Sequence, residues 1–176
     1  AEDLHKGLIE RFRSLPMARS AVLFGRTLAD SVRNVFVVIL ITIVGFLVGF
    51  RIGTSFGLYL VAFALLIFFA FAFSWVFAYI GLSASNSETA QLMAFPILFP
   101  LTFASTAFVP ASSMPPWLRW FAEHQPVSIM VNATRGLMQG GPGADTAHWV
   151  TLAVVWSFVF MAIFIPLAVW KYRRVG

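Results

Sequence analysis

Few residues in this chain have the type and spacing for covalent chemistry. His5, His124 and His148 fall in three separate segments, and no H-E-x-x-H run joins two histidines to a general base. With no cysteine there is no thiolate zinc site, disulfide or thiol nucleophile. No G-x-x-x-x-G-K-[ST] run occurs, so no phosphate-cradling loop leads to a lysine, and ATP hydrolysis by this chain is not expected. Glu88 sits at the edge of an apolar run, while Glu123 and Asp145 lie between runs, so no acid is set deep in apolar sequence as an ion-driven carrier would need. The polar groups that do interrupt apolar sequence are hydroxyls. Thr102, Ser105 and Thr106 follow Pro96 and Pro100 in "AQLMAFPILFPLTFASTAFV", residues 90–109. Each proline removes a backbone hydrogen bond and can kink a helix. These five residues either line a path for a solute or satisfy one another, the hydroxyls bonding the freed carbonyls.

The elements that must hold them are membrane helices. The 176 residues are 60% hydrophobic and 11% charged, too few charges to solvate a surface. Four apolar runs, about 34–52, 57–82, 90–110 and 148–170, have the roughly 20 residues that a crossing requires. They are continuous and not alternating, so helices are expected and a barrel is not. No short apolar core behind a charged leader opens the chain, so no signal peptide is expected. Lys6, Arg11, Arg13, Arg19, Arg26 and Arg33 precede the first run, and Lys171, Arg173 and Arg174 follow the last. Of the 12 basic residues only Arg51, Arg119 and Arg135 fall on the opposite side, which puts both termini in the cytoplasm. Basic residues so placed bear on orientation, and no nucleic-acid partner is expected. Gly45, Gly49, Gly53 and Gly57 recur every four residues, and Ala70, Ser74 and Ala78 repeat the spacing, as faces for close helix approach.

Residues 1–33 form a cytoplasmic segment. Leu4, Leu8, Phe12 and Leu15 share one helical face opposite Lys6, Glu10, Arg11 and Arg13, until Pro16 breaks the pattern. A second helix starts near Met17 and runs into the first span, with Arg26 and Asp30 as an i,i+4 pair. An amphipathic helix of this kind suits either anionic headgroups or the groove of a cytoplasmic partner. On the far side, Pro115 and Pro116 open a short helix whose Trp117, Leu118, Trp120 and Phe121 make one apolar face, closed by Pro126. Tryptophan favours the headgroup level, so this piece lies at the outer interface. A second helix follows, with Val127, Met130, Val131, Thr134 and Met138 on one face, ending at Gly140-Gly141. Two short apolar helices over 115–138, fenced by Pro and Gly, read as a re-entrant hairpin, against a surface-lying aromatic belt. Asn132-Ala133-Thr134 fits the N-glycosylation pattern, which is common by chance.

Two blocks resemble a known family. "GLIERFRSLPMARSAVLFGR" (7–26) and "FPLTFASTAFVPASSMPPWLRWFAEHQPVS" (99–128), with Phe-x-x-x-x-Phe-Val-Pro and Met-Pro-x-Trp-Leu, are similar to type-2 ABC exporter permeases, nearest the daunorubicin-exporter permeases of drug and lipid efflux. The resemblance implies a six-helix transmembrane domain whose spans three to six correspond to the four spans here, the first two having no counterpart. It implies that residues 1–16 resemble the coupling helix, with Gly7, Glu10, Arg11, Arg13, Leu15 and Pro16 meeting an ATP-hydrolysing subunit, and that 115–138 resembles the outer hairpin. The expected protein is an all-α integral membrane permease subunit, 1–33 cytoplasmic and 34–176 transmembrane, in a bacterial plasma membrane. It would carry no cofactor itself, ATP and magnesium belonging to the partner. It would pair with a second permease copy, identical or homologous, and export an amphipathic drug or lipid-like substrate. An ion- or proton-coupled secondary transporter and a non-catalytic scaffold are the alternatives.

Overall fold

The computed structural model describes residues 19–140 and 145–175. The described residues form helices: α1 (Arg19–Val48), α2 (Phe56–Ser83), α3 (Ser87–Phe103), a 3₁₀ turn (Ala111–Ser113), α4 (Pro116–His124), α5 (Pro126–Gln139) and α6 (Thr146–Val175). Local chemistry fixes the starts. The Leu58 amide donates to Ser55 Oγ (3.3 Å) ahead of α2, the Thr89 amide to Asn86 Oδ1 (2.7 Å) ahead of α3, and the His148 amide to Asp145 Oδ1 (3.2 Å) ahead of α6. The second and fourth apolar runs therefore become helices close to their expected limits.

The other two runs end early, for different reasons. α1 stops at Val48 because Gly49 takes φ +107°. The Phe50 amide donates to Gly45 O (2.8 Å) and the Gly49 amide to Phe46 O (3.2 Å), closing the helix in a Schellman motif. The Phe46 and Phe50 rings then meet at 5.7 Å. The expected helical stripe of Gly45, Gly49, Gly53 and Gly57 is thus corrected: Gly49 ends the helix, and Gly53 lies in the loop beyond it. α3 has only 17 residues, or about 25 Å at 1.5 Å per residue, against a hydrocarbon core of about 30 Å. Among the described residues, three helices are long and apolar enough to cross a membrane, over Thr27–Val48, Phe56–Ser83 and Thr146–Arg174.

α2 is the centre of the packing. Ala62, Leu65 and Phe69 of α2 meet Ile129, Met130, Ala133 and Leu137 of α5 and Ala153 of α6 in one cluster. Trp75 and Leu82 meet Ala168 and Tyr172 of α6 in a second. The many α2 phenylalanines serve this contact. Phe68 faces Phe158 at 5.4 Å, and Phe73 faces Phe160 at 5.3 Å, edge to face. Lipid tails remove most of the hydrophobic drive between helices, so such van der Waals fit must hold them together. The expected Ala70, Ser74 and Ala78 face is only half-buried; Ala62 and Ala72 are the small residues fully enclosed. By contrast α3 buries no residue, and α1 exposes apolar side chains along its length. Asp30 on α1 pairs with Arg33 at 3.5 Å.

Phe160→Ala removes one ring that contacts Phe69, Phe73, Trp156 and Phe164. It is expected to lower stability by about 3 kcal/mol. Phe36→Ala, on a ring 66% exposed, is expected to change stability by under about 0.5 kcal/mol. Reversible unfolding in detergent micelles measures both.

Candidate functional site

Where α3 ends, its chain does not escape into open space. It turns through residues 104–110 against the start of α5, and side chains take over the hydrogen bonds that helix would have made. Ser105 Oγ donates to Thr102 O (2.7 Å) and accepts from the Ala107 amide (3.3 Å). The Thr106 amide donates to Ser128 Oγ (3.0 Å), and Thr106 Oγ1 to Asn132 Oδ1 (3.3 Å). Ser105 and Ser128 are fully enclosed, at 0% exposure.

Gln125 joins the pieces. It closes α4, its amide donating to Phe121 O (3.0 Å), and it opens α5, its Oε1 accepting from the Val127 amide (3.0 Å). Its Nε2 donates to Leu101 O on α3 (3.0 Å) and to Ser128 Oγ (2.9 Å). At 4% exposure both amide hydrogens and the carbonyl of this side chain are used inside the protein. Pro126 follows at the first position of α5, where its missing N–H costs nothing. Pro126 therefore starts a helix as well as ending one, and the residue before it is the cap. That dipeptide was the available sign of Gln125, which the spacing of apolar residues did not reveal.

The path candidates divide into two groups. Pro96, Pro100 and Thr102 lie exposed on α3, and the helix runs through both prolines. Ser105 and Thr106 are enclosed in the seam just described. The structure thus does not bring the five onto one surface. Gly7, Glu10, Arg11, Arg13, Leu15 and Pro16 lie outside the described residues.

On α4 the expected apolar face is largely turned away from the protein. Trp117 and Trp120 project outward at 74% and 66% exposure, Pro115 is exposed, Leu118 and Phe121 are half-buried, and Ala122 alone is enclosed. Trp120 stacks on His124 at 5.1 Å, and His124 Nδ1 lies 2.7 Å from Trp120 O. On α5 the buried line is Ile129, Met130, Ala133 and Leu137, so Val127, Val131, Thr134 and Met138 are only half-buried. The reason is that α2 and α6 flank α5 together, and Ala133 is fully enclosed between them. Asn132 is held within α5 as the acceptor for Thr106, a helical setting unlike the surface loop that carries a glycan.

The far end of α5 is fixed by the α1–α2 loop. The Gly53 amide donates to Met138 O (2.9 Å), and Thr54 Oγ1 donates to Leu137 O (2.5 Å). A Cβ on Gly53 would stand 2.6 Å from Gln139 O, so only glycine fits. One on Gly136 would stand 2.5 Å from Thr146 Oγ1 at the start of α6. The close approach expected of Gly53 is therefore to a helix end, made from a loop.

A multi-pass helical membrane protein with a polar seam at one end is the class these features define. The chain matches the model of the ABC-2 type transporter family over residues 3–138, and it belongs to that family. It is 37% identical over 173 residues to the daunorubicin resistance ABC transporter permease protein DrrB1 of Streptomyces coeruleorubidus, covering 98% of this chain and 60% of that protein. It is 27% identical over 168 residues to the probable doxorubicin resistance ABC transporter permease protein DrrC of Mycobacterium tuberculosis, covering 96% and 59%. An 87-residue match, 32% identical, links it to ABC transporter G family member 20 of Dictyostelium discoideum, over 49% of this chain and 12% of that one. The chain spans about three fifths of the length of the two permeases. No solved structure matches it.

Gln125→Leu keeps the size of the side chain and removes its polar atoms. It leaves Leu101 O and the Val127 amide without this partner and takes one of two donors from Ser128 Oγ, and at about 1 kcal/mol per lost bond should cost roughly 3 kcal/mol. Gln125→Glu, which keeps the acceptor for Val127 but sets a buried carboxylate oxygen against the Leu101 carbonyl, should cost more than Gln125→Leu. Unfolding midpoints in detergent measure the order.

Proposed function

We propose that this chain forms part of the membrane-embedded permease subunit of an ATP-driven exporter that moves an amphipathic, drug-like or lipid-like molecule out of the cytoplasm or inner leaflet. Membership of the ABC-2 type transporter family carries this reading, and the resistance permeases named among its relatives support the cargo class. The chain itself is not an enzyme in this account. ATP and magnesium are bound by a separate ATP-binding subunit, which docks on residues 1–16 through Gly7, Glu10, Arg11, Arg13, Leu15 and Pro16. Both termini lie in the cytoplasm, in keeping with the basic residues that flank the first and last spans.

α3 makes a fourth crossing, its helix completed by the irregular 104–110 stretch that the seam satisfies. α4 and α5 form the outer re-entrant hairpin, with Trp117 and Trp120 at the headgroup level. Packing of α5 against α2 and α6 supplies the protein cover that such backbone needs at membrane depth. A second permease copy, identical or homologous, completes the pathway, and the bare surfaces of α1 and α3 are available to it. Pro96, Pro100 and Thr102 line the solute's side of α3, while Ser105 and Thr106 shape its outer end.

The test uses the complete permease reconstituted with its ATP-binding partner. Deleting residues 1–16 is expected to abolish substrate-stimulated ATPase activity while the partner's basal hydrolysis persists. Stimulation unchanged by the deletion would remove the coupling role.

A further inference from the structure

The cations of this chain sort by what they touch. Arg51 donates from Nη1 to Phe46 O and Phe50 O at 3.0 and 2.8 Å. Arg119 donates from Nε to Ala111 O and from Nη2 to Ser112 O, at 2.8 and 2.7 Å. Arg135 Nη2 donates to Ala107 O at 3.2 Å, and Arg33 pairs with Asp30. Among the cations whose side chains are described, Lys171, Arg173 and Arg174 alone have neither a carboxylate nor a carbonyl partner. They stand together at the end of α6, where helix carbonyls add negative potential but no bound anion.

Their placement continues an apolar line. Val159, Ile163, Leu167 and Trp170 recur at three- and four-residue steps and are exposed along one side of α6. Arg174 takes the next step, its guanidinium carbon 4.0 Å above the centre of the Trp170 ring. Trp170, 47% exposed, holds that guanidinium over its ring while leaving its N–H groups without a hydrogen-bond acceptor. On the other side of the helix Ala168 and Tyr172 are in the core, so the line faces outward. A stripe that passes from aliphatic to indole to guanidinium has the order of a phospholipid: acyl chain, glycerol level, phosphate.

We infer that the end of α6 is a binding site for one anionic phospholipid. Its phosphate meets Arg174 and its neighbours Lys171 and Arg173, and its acyl chain lies along Leu167 and Ile163. A free phosphate would use the cations alone; the continuity with the apolar stripe selects the lipid. This site stands on the geometry of α6 and not on the transport reading.

Native mass spectrometry of the full chain in detergent, titrated with dioleoyl phosphatidylglycerol or dioleoyl phosphatidylcholine, reads the site directly. Phosphatidylglycerol is expected to bind more tightly. Arg174→Gln should weaken it about fivefold, the effect of one basic residue at an anionic surface, and Lys171→Gln should act likewise. Trp170→Leu keeps the apolar contact and frees the guanidinium, and should weaken binding by a smaller factor. Arg33→Gln and Arg119→Gln alter cations already engaged and should leave it unchanged. Equal binding of the two lipids, equal loss from Arg33→Gln, or displacement by inorganic phosphate as effective as by lipid would each overturn the assignment. Trp170, Arg174, Arg33 and Arg119 are exposed and Lys171 is half-buried, and far-ultraviolet circular dichroism checks that each variant keeps its helices.

Discussion

The side chain of Gln125 holds the outer end of this molecule together. α3 runs out of helix at Phe103, leaving the carbonyls of its last turn and the amides of the next residues without helical partners. In water such groups could be solvated; beside a membrane each unpaired one costs free energy. Gln125 takes Leu101 O, Ser105 takes Thr102 O, and Ser128 accepts the Thr106 amide. The same glutamine sets the corner between α4 and α5. The end of α3 and the start of α5 are thereby bonded as one piece, and the α1–α2 loop anchors the other end of α5 through Gly53 and Thr54.

α5 and α3 are held in different ways. α5 is gripped at both ends and packed along its length, whereas α3 is held at its outer end and otherwise bare. Motion of α3 relative to α2 would break few apolar contacts, but any separation from α5 must break buried hydrogen bonds. The outer end of α3 is thus fixed to α5 by buried hydrogen bonds, while the rest of the helix buries no residue. The outer arginines work in the same direction. Arg119 binds the 3₁₀ turn and Arg135 the chain after α3, so both stiffen the region instead of presenting charge to a ligand.

Much of the helical content was legible because long apolar runs carry their own evidence. The starts of α2 and α6 fall within two residues of their apolar runs, where the structure shows Ser55 and Asp145 capping them. What failed was interpretation of glycine. A four-residue glycine period has the same appearance whether it marks a packing stripe or a helix stop, and only φ at Gly49 distinguishes them. The early end of α3 was hidden for a related reason: 104–109 is as apolar as helix, and the groups that satisfy it lie more than 20 residues on, at Gln125 and Ser128. The α5 face was misread because two neighbours, not one, cover it. Local pattern gives a helix its extent; long-range partners decide its ends and its buried side.

Amide hydrogen exchange in lipid nanodiscs tests the seam most directly. Thr106, Ala107 and Val127 lie at or beyond helix ends, yet their amides are bonded to buried side chains, so they should exchange as slowly as the interior of α2. Exchange there as fast as at Phe108 and Val109 would mean that the seam does not exist in the membrane, and the account built on it would fall.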